Sequence, residues 1–146
     1  LEQGRNFRCG EVGHMTVVPD GKVCYCGKYG CLDAYCSVKC LTDGRVEDFF
    51  DRLKHGEQEA AGLWKQYSSY LAIAVNNIHM LLDCDVVLGG YVGSSMGDFI
   101  RDIQNKVSER NTFAEDGSFI RICRRKTEAA ALGASLKVIE LFMEQV

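Results

Sequence analysis

Apolar side chains recur at helical spacing in several parts of this chain. Val46, Phe49, Phe50 and Leu53 fall on one face of an amphipathic helix over residues 45–54, and Gly56 ends it. From 57 to 82, Leu63, Tyr67, Leu71, Ala74, Ile78 and Leu81 make one stripe and predict a long helix. Residues 33–40 turn helix-like, 96–109 form another helical stretch, and an Ala-rich apolar helix closes the chain over 126–143. The short apolar run 84–88 precedes Gly89, Gly90 and Gly93, and 119–123 alternates Phe119, Arg121 and Cys123 against Ile120 and Ile122, so both read as strands. Residues 111–117 are polar and turn-like. Residues 8–32 are rich in Gly and Cys, carry the only proline, Pro19, and have little period, which predicts a loop with a short strand near 15–18. Helix, strand, helix, strand, helix is the order of an α/β layered domain with parallel pairing. No repeat or low-complexity segment interrupts it. One domain is expected, either whole or as half of a larger unit.

Composition narrows the classes. The 146 residues amount to about one average domain. Lys and Arg total 17 against 20 Asp and Glu, a net charge of −3, which argues against a phosphate-gripping surface on this segment. With 47% hydrophobic and 25% charged residues, disorder and a polybasic arm are excluded. The most apolar run, 70–82, falls short of the ~20 residues needed to cross a bilayer and contains Asn76, Asn77 and His79. No membrane association is expected. The first residues read neither as a signal peptide nor as a natural start, since Leu1 stands where Met would.

The eight cysteines change the picture most. A chain of this length and apolar content does not need disulfide staples, so a reduced, cytoplasmic protein with some thiols on a metal is expected. His14 is followed after nine residues by Cys24-Tyr25-Cys26 and after four more by Cys31. Three thiolates and an imidazole match a tetrahedral zinc set, with no open position for a reacting water, and soft sulfur disfavours magnesium or calcium. Gly27 and Gly30 give the chain the freedom to return Cys31 toward Cys24 and Cys26. Without a metal, the same four residues are a buried histidine and three small core cysteines in a turn-rich loop. Cys9, Cys84 and Cys123 are expected in the core, Cys36 and Cys40 to pack one helical turn apart, and His55 and His79 to be surface or satisfied core residues.

The stretch GEVGHMTVVPDGKVCYCGKYGCLDAYCS at 10–37 resembles the signature of the ROK family, whose name joins repressors, open reading frames and kinases. DVVLGGYVG at 85–93 and EAAALGASL at 128–136 extend the resemblance over most of the chain. It implies the C-terminal lobe of an actin-like, ribonuclease-H-like ATPase fold with a zinc-binding loop at 8–33. It further implies that Glu11 and His14 contact sugar hydroxyls, with one ring nitrogen of His14 on the metal and the other toward the sugar. The family usually has Glu at the position of Asp33. The shorter acid either contacts the sugar, directly or through water, or serves as an N-cap. In the family's kinases Gly89 and Gly90 would lie by the adenosine of ATP, and Tyr91 replaces a smaller residue there.

The family's phosphate-binding loop, D-x-G-x-T, and its catalytic aspartate do not occur in these residues, so no catalytic residue is nominated. The resemblance implies a sugar-sensing half of a NagC/XylR-type transcriptional regulator, with DNA contacted only through a winged helix and N-terminal lobe upstream. The alternative is the C-terminal half of an ATP- and Mg²⁺-dependent sugar kinase acting on a hexose, and a third reading is a bare structural zinc domain. The ligand is a monosaccharide or sugar phosphate, and a homo-oligomer, dimer or tetramer, is expected from the apolar faces of the long helices. The basic run Arg121, Arg124, Arg125 and Lys126 reads as a solvated or inter-subunit face rather than a DNA contact.

Overall fold

In the computed structural model, which describes residues 4–113, 116–125 and 128–144, helices gather around one short parallel strand pair. A 3-10 turn at Val12–His14 opens a loop that ends in α1 (Asp33–Cys36), and a second 3-10 turn, Val38–Cys40, leads toward α2 (Val46–Lys54). The helix-like stretch at 33–40 is therefore two short turns and not one helix. In α2, Glu47 and Asp48 sit in the first turn and Arg52 and Lys54 in the last, which suits the helix dipole. Val46, Phe49, Phe50 and Leu53 are all buried, as their spacing requires.

The long helix α3 (Gln58–Leu82) packs against α1, α2, α5 and the first strand. Its buried residues are Ala60, Trp64, Tyr67, Ser68, Ala72, Ala74 and Val75. The expected stripe is met in part: Tyr67 and Ala74 are buried and Leu63 and Leu71 pack against the core, but the buried face is centred nearer Trp64, Ser68 and Val75, and Leu81 is 80% exposed. Partners on several sides decide the rotation. Trp64 turns inward because its indole N–H donates to Asp102 Oδ2 at 2.8 Å while its ring meets Phe50 edge-on at 5.4 Å. The Ser68 hydroxyl, fully buried, donates back to Trp64 O at 2.7 Å.

Strand β1 (Val86–Leu88) pairs parallel with β2 (Ile120–Ile122), Val86 opposite Ile120 and Leu88 opposite Ile122. Between them run α4 (Gly90–Ser95), a 3-10 turn at Gly97–Phe99, and α5 (Ile100–Ser108). Ile103, Val107 and Ile120 are fully or almost fully shielded, each contributing roughly 1.5–3 kcal/mol by apolar burial. The helix expected from 96 thus begins at Ile100. The last helix, α6 (Ala129–Met143), has no buried residue, and Leu136, Val138, Ile139 and Phe142 are exposed. Lys126 and Thr127, expected at its start, lie outside the described residues.

Cysteine placement departs from expectation. Cys9 and Cys84 are exposed and Cys123 is half-buried, so they are not core residues. Cys36 and Cys40 do pack against the core, and burial pushes the Cys36 thiol up to about 12. No helix among the described residues is long and apolar enough to cross a membrane.

Candidate functional site

The loop before α1 is a twisted hairpin held by backbone bonds. Thr16 bridges Cys31 and Val23 bridges Tyr29, both antiparallel, in place of the short strand expected at 15–18. Val17 and Val18 both donate to Gly30 O, at 2.8 and 3.2 Å, and Leu32 N–H donates to Met15 O at 2.8 Å. At its tip Gly27 N–H donates to Cys24 O at 2.9 Å, closing a turn with Gly27 at φ +79°. Gly30 has φ +76°, and a Cβ there would lie 1.8 Å from Val18 O. Only glycine fits, and the sharp reversal puts Cys31 back beside Cys24 and Cys26.

Tyr35 of α1 anchors this hairpin to the helical body. Lys22 N–H donates to its hydroxyl at 2.6 Å, and its ring meets Tyr70 of α3 at 4.4 Å. A Cβ on Gly21 would collide with that hydroxyl at 2.1 Å. On the other side of the loop, Asn77 of α3 reaches Met15 Sδ at 3.6 Å.

His14, Cys24, Cys26 and Cys31 offer one ligand atom each, all within 4.8 Å of one another. The spacing fits one ion. Zn–S bonds of ~2.3 Å at tetrahedral angles set an S···S edge of about 3.8 Å, and Cys26 Sγ to Cys31 Sγ is 3.8 Å. His14 Nδ1 is 3.9 Å from Cys24 Sγ, so this nitrogen faces the thiols. As free thiols the three are unequal: the Lys28 amide beside Cys26 lowers its pKa, whereas burial raises that of Cys31 to about 11. Cys24 and Cys31 are buried and Cys26 is exposed, so an ion here is closed in by protein and yet lies near the surface.

Glu11 and Asp33 are both held against the turn that carries His14. His14 N–H donates to Glu11 O at 3.1 Å, which ties Glu11 to the same 3-10 turn. Asp33 is the first residue of α1; Leu32 is the N-cap, and no side-chain cap bond forms, so Asp33 does not cap the helix. Its carboxylate lies over the Cα of Gly13, where a Cβ would approach Oδ1 to 2.6 Å. The glycine between Glu11 and His14 thus gives the Asp33 carboxylate its seat, since a side chain there would push it aside, a relation invisible in the sequence. Tyr25, between two of the thiols and passed over in the sequence reading, holds its hydroxyl 3.3 Å from His14 Nε2. Its pKa is raised by partial desolvation, then by a hydrogen bond to Asp33 and by negative charge at Asp33, Cys24 and Glu11. Its only early signal was a large aromatic residue where a turn asks for none.

Gly89 and Gly90 lie elsewhere, at the C-terminal end of β1. Gly90 has φ +69°, and Gly93 lets α4 sit against Leu88, where a Cβ would meet its carbonyl at 2.8 Å. Tyr91 projects beside them, 68% exposed. A cavity of about 650 Å³ is lined by Arg101, Gln104, Ser118 and Arg121 at the opposite end of the strands and includes none of the candidate residues. Arg121 pairs with Asp85 at 3.0 Å, Arg124 and Arg125 are exposed, and Lys126 lies outside the described residues.

Comparison with known proteins agrees with this architecture. The family model described as "ROK family" matches residues 1–140. N-acetylmannosamine kinase of Salmonella arizonae is 32% identical over 106 residues, which cover 66% of this chain and 36% of that protein. A ROK hexokinase from Thermus thermophilus superposes with a TM-score of 0.74 at 25% identity, over 95% of this chain and 52% of its own. A ROK family transcriptional regulator, a homologue of the E. coli MLC protein, superposes with a TM-score of 0.62 at 21% identity, over 82% of this chain and 36% of its own. These likenesses give the fold, that of the actin-like ATPases. The chain spans about half the length of these relatives or less.

Proposed function

Because the chain belongs to the ROK family, we propose that residues 1–146 are the sugar-sensing C-terminal half of a ROK-type transcriptional regulator, with a structural zinc ion on His14, Cys24, Cys26 and Cys31. The observation that carries this reading is the double use of one imidazole: Nδ1 of His14 is on the side of the thiols, 3.9 Å from Cys24 Sγ, while Nε2 meets the Tyr25 hydroxyl at 3.3 Å, and Glu11 and Asp33 are held against the same 3-10 turn. A metal on Nδ1 would fix the proton on Nε2 and lock the ring, leaving a fixed donor next to two carboxylate acceptors. Sugar hydroxyls both donate and accept, so such a set suits one edge of a monosaccharide or sugar phosphate.

The exposed apolar residues of α6 support a larger unit, in which an N-terminal lobe and a winged helix would complete the protein and DNA would be met only through the latter. Sugar binding would act by preferring one lobe arrangement over another. The net charge of −3 suits a half that does not itself touch DNA, and eight free thiols suit a cytoplasmic location. The protein would act as a homo-oligomer, dimer or tetramer. Tyr91, projecting beside Gly89 and Gly90, favours a member that does not use ATP.

The second reading is the C-terminal half of a sugar kinase, favoured by the likeness to an N-acetylmannosamine kinase and a hexokinase. Gly89 and Gly90 would then flank ATP with Mg²⁺, and the catalytic base would come from outside these residues. Full-length protein, supplied with ATP and D-glucose, D-mannose or N-acetyl-D-mannosamine in a coupled assay and tested on its upstream DNA with and without each sugar, separates the two. Sugar-dependent DNA release without turnover is expected. ATP-dependent phosphorylation supports the kinase reading, and no binding of any sugar overturns both.

A further inference from the structure

Tyr25 has no work to do in the metal centre as such. It occupies the second position of the Cys24–Gly27 turn, where backbone geometry accepts most residues, and it is 81% exposed. Its ring adds nothing to the core, so what distinguishes the residue is where its polar end lies. It is engaged: the hydroxyl stands 3.3 Å from His14 Nε2, and the ring approaches the imidazole edge-on with centroids 5.2 Å apart. Asp33 reaches the same point from below, its carboxylate seated over Gly13, one residue before His14. The negative charges that bear on the phenol are those of Asp33, Cys24 and Glu11. One hydroxyl therefore meets two of the three candidate sugar contacts, His14 and Asp33.

We infer that Tyr25 is a specificity-determining residue of the sugar site, its hydroxyl presenting to the ligand the hydrogen bond that the short Asp33 side chain cannot deliver itself. The inference rests on the sugar-binding reading above and adds to it the residue that decides which sugars fit. With its O–H given to the Asp33 carboxylate and one lone pair facing the His14 Nε2–H, the phenolic oxygen keeps one further lone pair, so the pair selects a sugar hydroxyl that donates, next to His14. The exposed ring, held only at its rim, would lie along the same edge of the ligand and restrict the substituent there.

The test uses the full-length protein with D-glucose, D-mannose and N-acetyl-D-mannosamine, each followed by calorimetric titration together with zinc content. Tyr25→Phe is expected to keep stoichiometric zinc, because no ligand atom is lost, and to weaken the sugar best bound by wild type about tenfold, the worth of one good hydrogen bond. Adding Asp33→Glu to Tyr25→Phe is expected to recover most of that loss, since the longer acid reaches the vacated position. A merely structural tyrosine would not be rescued in this way. Unchanged affinity in Tyr25→Phe, or a loss that Asp33→Glu leaves in place, overturns the inference while the sugar reading stands. Wild type that binds none of the sugars overturns the sugar reading and this inference with it.

Discussion

Two glycines in the hairpin that carries the four candidate ligands make a matched pair for mutation. Both have positive φ, +79° at Gly27 and +76° at Gly30. Their surroundings differ completely: a Cβ on Gly27 meets nothing within 4 Å, whereas one on Gly30 would lie 1.8 Å from Val18 O. Gly27→Ala therefore costs only the left-handed backbone penalty, about 1–2 kcal/mol. Gly30→Ala adds displacement of the Val18 carbonyl and loosens the two bonds that Val17 and Val18 donate to Gly30 O, each worth about 1 kcal/mol net. The total reaches about 3–4 kcal/mol before any clash is counted. Metal binding is coupled to the fold of this hairpin, so these costs pass into metal affinity. At about 1.4 kcal/mol per tenfold, Gly27→Ala should weaken zinc binding roughly tenfold and Gly30→Ala by two orders of magnitude or more. Competition with a chromophoric zinc chelator at fixed pH measures both. Equal losses, or a larger loss in Gly27→Ala, would refute the argument that the Val18 contact makes Gly30 irreplaceable.

Cys26→Ser should abolish stoichiometric zinc, as measured by elemental analysis after gel filtration, while leaving the helical signal from α2, α3 and α5 near wild type, because the hairpin meets that body chiefly through Tyr35 and Met15. Glu11→Ala should weaken sugar binding with zinc retained, since Glu11 is not among the four clustered ligands; titration calorimetry and metal content together check it. The Arg52 guanidinium, hydrogen-bonded to Glu57 and within 3.3 Å of Glu59, holds the Glu57 carboxyl below its ordinary range. That stabilisation is complete above the unfolded pKa and disappears as pH falls through the lower, folded one. Arg52→Met should thus lower Tm at pH 7 and converge with wild type in acid; a gap in Tm that widens on acidification would contradict the assignment.

Much of the chemistry was readable early because it is local. The four candidate ligands sit in one hairpin, so their spacing alone implied a cluster, and the structure brings their donor atoms within 4.8 Å. The apolar face of α2 was equally plain, since a short window reveals its period, and the order of helices and strands implied the parallel pairing that forms between Val86–Leu88 and Ile120–Ile122. The exposure of Cys9 and Cys84 was not readable. A single small thiol has no period, and nothing nearby says which way it faces.

Amino-acid order alone thus determined the candidate donor set, the turn glycines and the strongly periodic helices such as α2, because each depends on residues close in the chain. Tertiary structure alone decided the rotation of α3, set by Asp102 and Phe50 from distant elements. It also decided that Asp33 leans on Gly13 instead of capping α1, that Gly21 must clear Tyr35, and that Tyr25 meets His14. Those contacts join segments that approach only when the hairpin closes on the helices. Their geometry is a property of packing, which no local pattern encodes.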